Sequence, residues 1–271
     1  MAKITIMLDP GHDTATYNQS NVVKSYYEGA RMWRLYQLLK TALEARGITV
    51  KSTKSQVNQT VDVTARGRMA KGCAALISLH SNAYGTESVD RVEAIFFYDD
   101  DCGKIDDTSK ALAVQLSQTV ATVMGTRDKA KQYCKVSSND RDGDGKRNDD
   151  YYGVLYGAHQ VGVPAIILEH SFHTNTRAAK WLMDDANLQR LADAEADALA
   201  KHFGLQTEPT AAERLAALGV IDSPDYWETA QHRLDSLPEL LEALADAAGS
   251  KVVTSTETAP NVQAMIPDPA P

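Results

Sequence analysis

Four residues of this chain have the types and surroundings that metal and acid–base chemistry would need. His12 follows a short β-rich run directly, in Ile-Met-Leu-Asp-Pro-Gly-His. His80 closes Ala-Ala-Leu-Ile-Ser-Leu, and Glu169 closes Val-Pro-Ala-Ile-Ile-Leu. Glu28 stands near the start of a long amphipathic stretch. A single His or Glu at the end of a strand is most often a satisfied structural residue; the conjunction of four is what points to chemistry. In open α/β sheets, sites form in crevices at the carboxyl ends of parallel strands, so residues at equivalent ends can converge. Two imidazoles and one carboxylate make a catalytic zinc set, because three protein ligands leave a fourth position open for water. A further carboxylate then serves as general base and acid.

The elements that must position these residues alternate along the first 206 residues, the pattern of an α/β layer fold with an open, mostly parallel twisted sheet flanked by helices. Strands are predicted at Lys3–Leu8, Ile48–Ser52, Ala74–Leu79, Arg91–Tyr98 and Pro164–Leu168. The longest predicted helix runs from about Val22 to Arg46, with Trp33, Leu35, Leu38, Leu39, Ala42 and Leu43 at helical spacing and Gly47 as the stop. Further helices are predicted at Val61–Lys71, Thr108–Met124, Tyr152–Gln160 and Ala186–Phe203. The periodic pattern breaks at Gly204–Pro209. Residues 1–206 therefore read as the catalytic domain, residues 210–249 as a small helical module, and the Ser/Thr/Pro-rich residues 250–271 as a disordered tail.

Composition narrows the function classes. With 43% hydrophobic and 24% charged residues among 271, the chain has ample material for a core and is not wholly disordered. The net charge is −8, yet residues 1–206 carry 25 basic and 25 acidic side chains, and residues 207–271 carry 3 basic and 11 acidic ones. The whole excess thus lies beyond the catalytic segment, and no basic patch exists to bind nucleic acid by counterion release. Cys73, Cys102 and Cys134 are odd in number and far apart, which argues against a disulfide framework and a cysteine metal site. No apolar run approaches the roughly 18 residues needed to span a bilayer. The N-terminal stretch is too short and lacks the cleavage site of a signal peptide, so the expectation is a soluble protein made in the cytoplasm.

Four separated segments resemble the zinc-dependent N-acetylmuramoyl-L-alanine amidases of the amidase-3 type: Leu-Asp-Pro-Gly-His (8–12), Glu28, Ser-Leu-His-Ser-Asn-Ala (78–83) and Leu-Glu-His-Ser-Phe-His-Thr-Asn (168–175). They occur in the family's order across nearly all of residues 1–206. The resemblance implies His12, Glu28 and His80 as zinc ligands, Glu169 as the catalytic carboxylate, and one Zn2+ per catalytic domain. It implies cleavage of the amide joining N-acetylmuramic acid to L-alanine of the peptidoglycan stem peptide. The chain departs from the pattern where Asp13-Thr-Ala-Thr16 replaces a glycine-rich turn, and where His170 replaces the small or hydroxyl residue common after the glutamate. His170 and His173 then read as groove-lining residues or as supports behind the ligands. Asn82 reads either as a hydrogen-bond partner of substrate or His80, or as a loop cap.

Asp140, Asp142 and Asp144, with Gly145, resemble the start of a calcium loop, but its twelfth position is Tyr151 rather than a bidentate Glu; a solvated loop is expected instead of a Ca2+ site. The segment 218–227 looks like a short helical element found C-terminally in phage lysins and related clostridial-type wall enzymes, with a helix start at Asp222-Ser223-Pro224. It implies wall targeting or self-association through residues 210–249. The expectation for the whole is an endolysin that waits in the host cytoplasm until a holin-type pore releases it. A bacterial autolysin of the same activity, a zinc peptidase cutting within the stem peptide, and a non-catalytic wall-binding protein on the same fold are the rivals.

Overall fold

The computed structural model describes residues 4–99, 104–141, 143–147, 149–205, 211–221, 242 and 244–246. In chain order the elements are β1 (Thr5–Pro10), α1 (Glu28–Ala45), β2 (Thr49–Ser52), α2 (Val63–Arg68), β3 (Ala75–Asn82), β4 (Glu93–Phe96), β5 (Tyr98–Asp99), β6 (Lys104–Ile105) and α3 (Asp107–Met124). There follow β7 (Lys131–Tyr133), α4 (Gly153–His159), β8 (Ala165–Phe172), α5 (Thr176–Met183), α6 (Asp185–His202) and α7 (Ala211–Ala217). A six-stranded sheet has the order β2-β1-β3-β8-β4-β7, and β5 pairs with β6 apart from it. The central pairs β1–β3 and β3–β8 are parallel, whereas β4 runs antiparallel to β8.

The central strands read as continuous apolar runs because both of their faces are covered, as parallel sheets require. Alternation along each strand divides the side chains between two cores. Ile6, Leu8, Ile77, Leu79, Ile166 and Leu168 pack with Met32, Leu35, Leu39 and Leu43 of α1, Leu112 and Leu116 of α3, and Leu188 and Leu191 of α6. Met7, Leu76, Ile95 and Ile167 face the other way, toward Ala70 and toward Val154, Leu155 and Ala158 of α4. The result is the three-layer α/β architecture expected from the sequence.

Local chemistry sets the helix limits. Asp62, Asp106, Asn175 and Asp184 cap α2, α3, α5 and α6 by accepting from backbone N–H groups in the first turn. The first helix starts at Glu28 rather than near Val22, because residues 19–27 turn back on themselves: Gln19 bridges Tyr27 and Ser20 N–H donates to the Tyr26 carbonyl. Strands β3 and β8 run past His80 and Glu169 to Asn82 and Phe172, so these residues precede the strand ends instead of closing them. The register between these strands shifts from His80↔Glu169 to Asn82↔Phe172.

Two compact units divide the chain at Met1–Gln206 and Thr207–Pro271. In the second, Ala212, Leu215, Ile221 and Ala245 are buried together, and Arg214 of α7 pairs with Glu242 and Asp246. The expected helix start at 222–224 and the tail 250–271 lie outside the described residues. Among the described residues no helix is long and apolar enough to cross a membrane.

Candidate metal and catalytic site

Three elements bring the donor atoms together. β1 delivers Asp9, Pro10 and Gly11 to the sheet edge, and His12 follows in the left-handed region at φ 63°. This turn is held from below. The buried Lys54 ammonium donates to the carbonyls of Gly11 and His12. Asp9, fully buried, accepts from Thr53 Oγ1 at 2.5 Å and Ser78 Oγ at 2.6 Å and pairs with Arg66 at 3.5 Å. Gly11 lies so close to β3 that a Cβ there would fall 2.5 Å from His80 Cε1. Gly29 plays the same part at the start of α1, where a Cβ would fall 2.0 Å from the Thr14 carbonyl oxygen. That contact seats the non-glycine loop after His12 against the helix that carries Glu28.

The buried Glu28 carboxylate lies between the two imidazoles. His12 donates from Nε2 to Oε2 at 2.8 Å, and His80 Nδ1 lies 3.0 Å from Oε1. Ser81 N–H also donates to Oε1 at 3.0 Å, and Asn18 Nδ2 donates to Oε2 at 2.7 Å. Burial opposes ionisation of Glu28, but hydrogen bonds from His12 and His80 outweigh it and hold its carboxyl well below the usual range. Burial likewise works against a charged His80, and its contact with Glu28 reverses the sign and raises its pKa.

One donor atom from each of His12, Glu28 and His80 lies within 4.8 Å of the others, and among the described residues no other His/Cys/Asp/Glu group meets this test. Two imidazoles and a carboxylate are hard-to-borderline donors with room beside them, since His12 and His80 keep 18% and 17% of their side-chain surface exposed. The donor set fits one divalent transition-metal ion with an open position.

Glu169 faces this cluster from β8, paired with His80 across the parallel ladder and with Glu93 across the antiparallel one. Its Oε2 is shut off from solvent and has no hydrogen-bond partner. Burial, reinforced by the charges of Glu28 and Glu93, raises its pKa to about 7 despite the opposing pull of His80 and His170. An orphaned carboxylate oxygen with a pKa near neutrality, beside a metal-type cluster, has the properties of a general base.

The remaining expected residues fall out differently. Asn82 donates to Glu93 Oε2 at 3.1 Å and accepts from Ala83 N–H at 2.8 Å, so both its polar ends are engaged and neither touches His80. His170 and His173 are buried, with 0% and 3% of their surface exposed. His173 Nδ1 lies 2.9 Å from the Ser81 carbonyl and 4.0 Å from Glu28 Oε2, beside the donor cluster. Its ring stacks on Tyr26, whose hydroxyl donates to Ser81 Oγ. In the acidic loop, Asp140 accepts from the Gly143 and Gly145 amides, and Asp142 lies outside the described residues.

Sequence reasoning missed Asn18, Tyr17 and Glu93. Tyr17 stacks on the His12 ring at 4.2 Å, with 48% of its surface exposed. Glu93 is held by Arg91 at 2.6 Å and receives the Tyr133 hydroxyl at 3.3 Å. Asn18 and Tyr17 sit in a polar loop without periodicity, so nothing in the sequence marked them. Glu93 reads as an ordinary strand residue until the antiparallel pairing of β4 is known.

An α/β sheet that brings together a His–Glu–His cluster able to hold a metal ion and a protonatable carboxylate fits a hydrolase domain. Residues 6–201 match the family described as N-acetylmuramoyl-L-alanine amidase, and the chain belongs to that family of peptidoglycan-processing hydrolases. The fold is similar to the catalytic domain of CwlV, an N-acetylmuramoyl-L-alanine amidase from Bacillus (Paenibacillus) polymyxa var. colistinus, at 17% identity and a TM-score of 0.59, covering 75% of this chain and 99% of that one. It is similar to an N-acetylmuramoyl-L-alanine amidase from Clostridium difficile 630 at 19% identity and a TM-score of 0.60, covering 75% and 98%. A third likeness is to AmiC2 of Nostoc punctiforme, at 17% identity and a TM-score of 0.57, covering 75% and 98%. No curated protein sequence matches the chain.

Proposed function

We propose that this chain is a zinc-dependent N-acetylmuramoyl-L-alanine amidase in which His12, Glu28 and His80 hold the metal and Glu169 moves the proton. The observation that carries the reading is the juxtaposition of a complete three-donor cluster with a carboxylate whose buried oxygen has no partner. Zinc bound there would polarise the scissile carbonyl and acidify a water at the open position.

The chain's own residues supply the rest. Glu169 Oε2 accepts a proton from the attacking water and then delivers it to the leaving L-alanine nitrogen as the carbon–nitrogen bond breaks. Burial above all keeps the Glu169 pKa high enough for that second transfer, and Glu93, anchored by Arg91 and Asn82, adds a smaller push in the same direction. Asn18 and Ser81 hold the two oxygens of Glu28 toward His12 and His80. Lys54, Asp9 and Arg66 fix the turn that presents His12.

Mass spectrometry of digested peptidoglycan tests the reading. An amidase frees a new L-alanine amine and leaves the glycan strands intact; cleavage inside the stem peptide or between sugars would refute it. Chelation should abolish turnover and added zinc should restore it, and full turnover by a metal-free preparation would sink the metal assignment.

The setting we propose is lysis of a bacterial host. In it the enzyme is an endolysin held in the host cytoplasm until a holin-type pore opens, and residues 210–249 serve wall targeting or self-association. The likeness of residues 218–227 to an element of phage lysins and related clostridial-type wall enzymes supports this. Cells expressing the chain should lyse when a pore-forming protein is co-expressed and remain intact without it; lysis independent of the pore would point to another export route.

A further inference from the structure

Two buried titratable side chains neither belong to the donor cluster nor carry the proton in the chemistry above. His170 and Glu195 have no exposed surface at all. Alternation along β8 sends His170 through the sheet to the face opposite Glu169, where Nε2 lies 3.0 Å from Oε1 of Glu195 on α6. Its Nδ1 lies 2.9 Å from the carbonyl oxygen of His80. A carbonyl only accepts, so Nδ1 carries a hydrogen and donates it.

The position of this contact matters. It falls where β3 and β8 pair His80 with Glu169, immediately before the register shifts between His80 and Asn82. A register shift interrupts the ladder and bends the strand locally. Ser171, the next residue, is in the left-handed region at φ 60°. A side-chain link from α6 spans this irregular point, and α6 is itself anchored by Leu188, Leu191, Ala192, Ala196 and Leu199 in the larger core. Burying an imidazole and a carboxylate is expensive, and apolar residues of similar volume often serve stability as well or better. Glu195 Oε2 is moreover left without a partner. Stability alone gives a poor account of such a pair, whereas the rung it braces carries one residue of the metal cluster and the candidate base.

We propose that His170 and Glu195 are positioning residues: a buried brace from α6 that fixes the main chain of His80 opposite Glu169, so that imidazole and carboxylate keep the separation the reaction needs. This rests on the amidase reading for its kinetic arm and on the donor cluster alone for its metal arm.

Three variants of the full chain test it: Glu195→Gln, His170→Gln, and the double variant His170→Leu/Glu195→Leu, which removes both polar groups and fills the space. Each is measured for thermal midpoint, for kcat and KM on a soluble muramyl peptide, for retention of zinc against a chelator, and for the absorption spectrum with cobalt in place of zinc. The double variant should fold with a thermal midpoint near wild type. Its kcat and its zinc retention should fall about 10–100-fold, the usual cost of losing an outer partner of a metal site, while KM stays within about twofold. The cobalt spectrum should shift as the ligand geometry relaxes. Glu195→Gln keeps an acceptor for the ring and should recover most of kcat, so the proposal stays testable even if the double variant does not fold. A merely structural pair would lower the thermal midpoint and leave kcat, zinc retention and the cobalt spectrum of the folded protein unchanged; that result overturns the proposal. If wild type releases no L-alanine amine, the amidase reading fails, while zinc retention across the same variants still decides whether the brace positions His80.

Discussion

At the scale of residues, two neighbouring carboxylates, Glu28 of α1 and Glu169 of β8, are driven in opposite directions. Glu28 receives four hydrogen bonds and stays ionised; Glu169 has a buried oxygen with no partner and rises to about 7. Such a division is what the proposed roles, Glu28 on the metal and Glu169 on the proton, require. Glu169→Gln keeps the shape but accepts no proton, so zinc should remain near one equivalent while turnover falls by roughly 10²–10⁴-fold, the typical worth of a general base. Zinc loss in that variant, read by metal analysis, would make Glu169 a ligand instead. The sign of the pH dependence follows from the same residue. A base works when ionised, so kcat/KM should fall as pH drops through the Glu169 pKa, at or somewhat below about 7 because a bound cation pulls it down. Glu93→Gln removes the smallest of the influences that raise this pKa and should move the acidic limb slightly to lower pH; an unmoved limb in a pH–rate profile would show that Glu93 does not tune it.

At the scale of elements, the site depends on how closely β1 approaches β3. Gly11 has no Cβ, and the room saved is taken by the His80 imidazole at a distance where any side chain would overlap it. Gly11→Ala should therefore displace His80 or His12 and cost metal binding first. Zinc titration should show weakening of tenfold or more while circular dichroism keeps the α/β signature, since the cores on both faces of the sheet lie elsewhere. Normal zinc affinity in this variant would show that the turn can yield. The buried Asp9–Arg66 pair with Lys54 beneath the same turn has the same logic: charge is buried where a main chain must not move.

At the scale of the whole molecule, chemistry and charge are segregated. Every residue of the cluster precedes Leu205, and the excess negative charge lies after Gln206, in a second compact unit. A chain ending at Leu205 should fold, bind zinc and cleave soluble muramyl peptides at close to the full-length rate. On insoluble walls it should be slower if residues 210–249 raise the effective concentration at the surface. If they join copies instead, light scattering should show a smaller species on truncation. Equal wall lysis by both chains with unchanged mass would show that the segment does neither.

How much was legible in advance depends on the range of the interaction. The α/β class was readable because apolar runs and helical periodicity are local consequences of burial, as in Ile-Met-Leu and Ala-Ile-Ile-Leu with both faces covered. His12, His80 and Glu169 stood out because each follows an apolar run, and Glu28 because it stands near the start of an amphipathic stretch; the roles proposed for them came from the family resemblance. Their common edge was an inference from parallel topology. What sequence alone left undecided was everything set by pairing between distant segments. The late start of α1 comes from the Gln19–Tyr27 bridge, and the extension of β3 and β8 past the site residues comes from their mutual ladder. The antiparallel β4 brings Glu93 beside Glu169, and alternation through the sheet turns His170 from the face of Glu169 to Glu195. Residue type and local pattern specify which groups are able to react; only tertiary pairing decides which face each one meets, because a shift of one residue along a strand exchanges one face for the other.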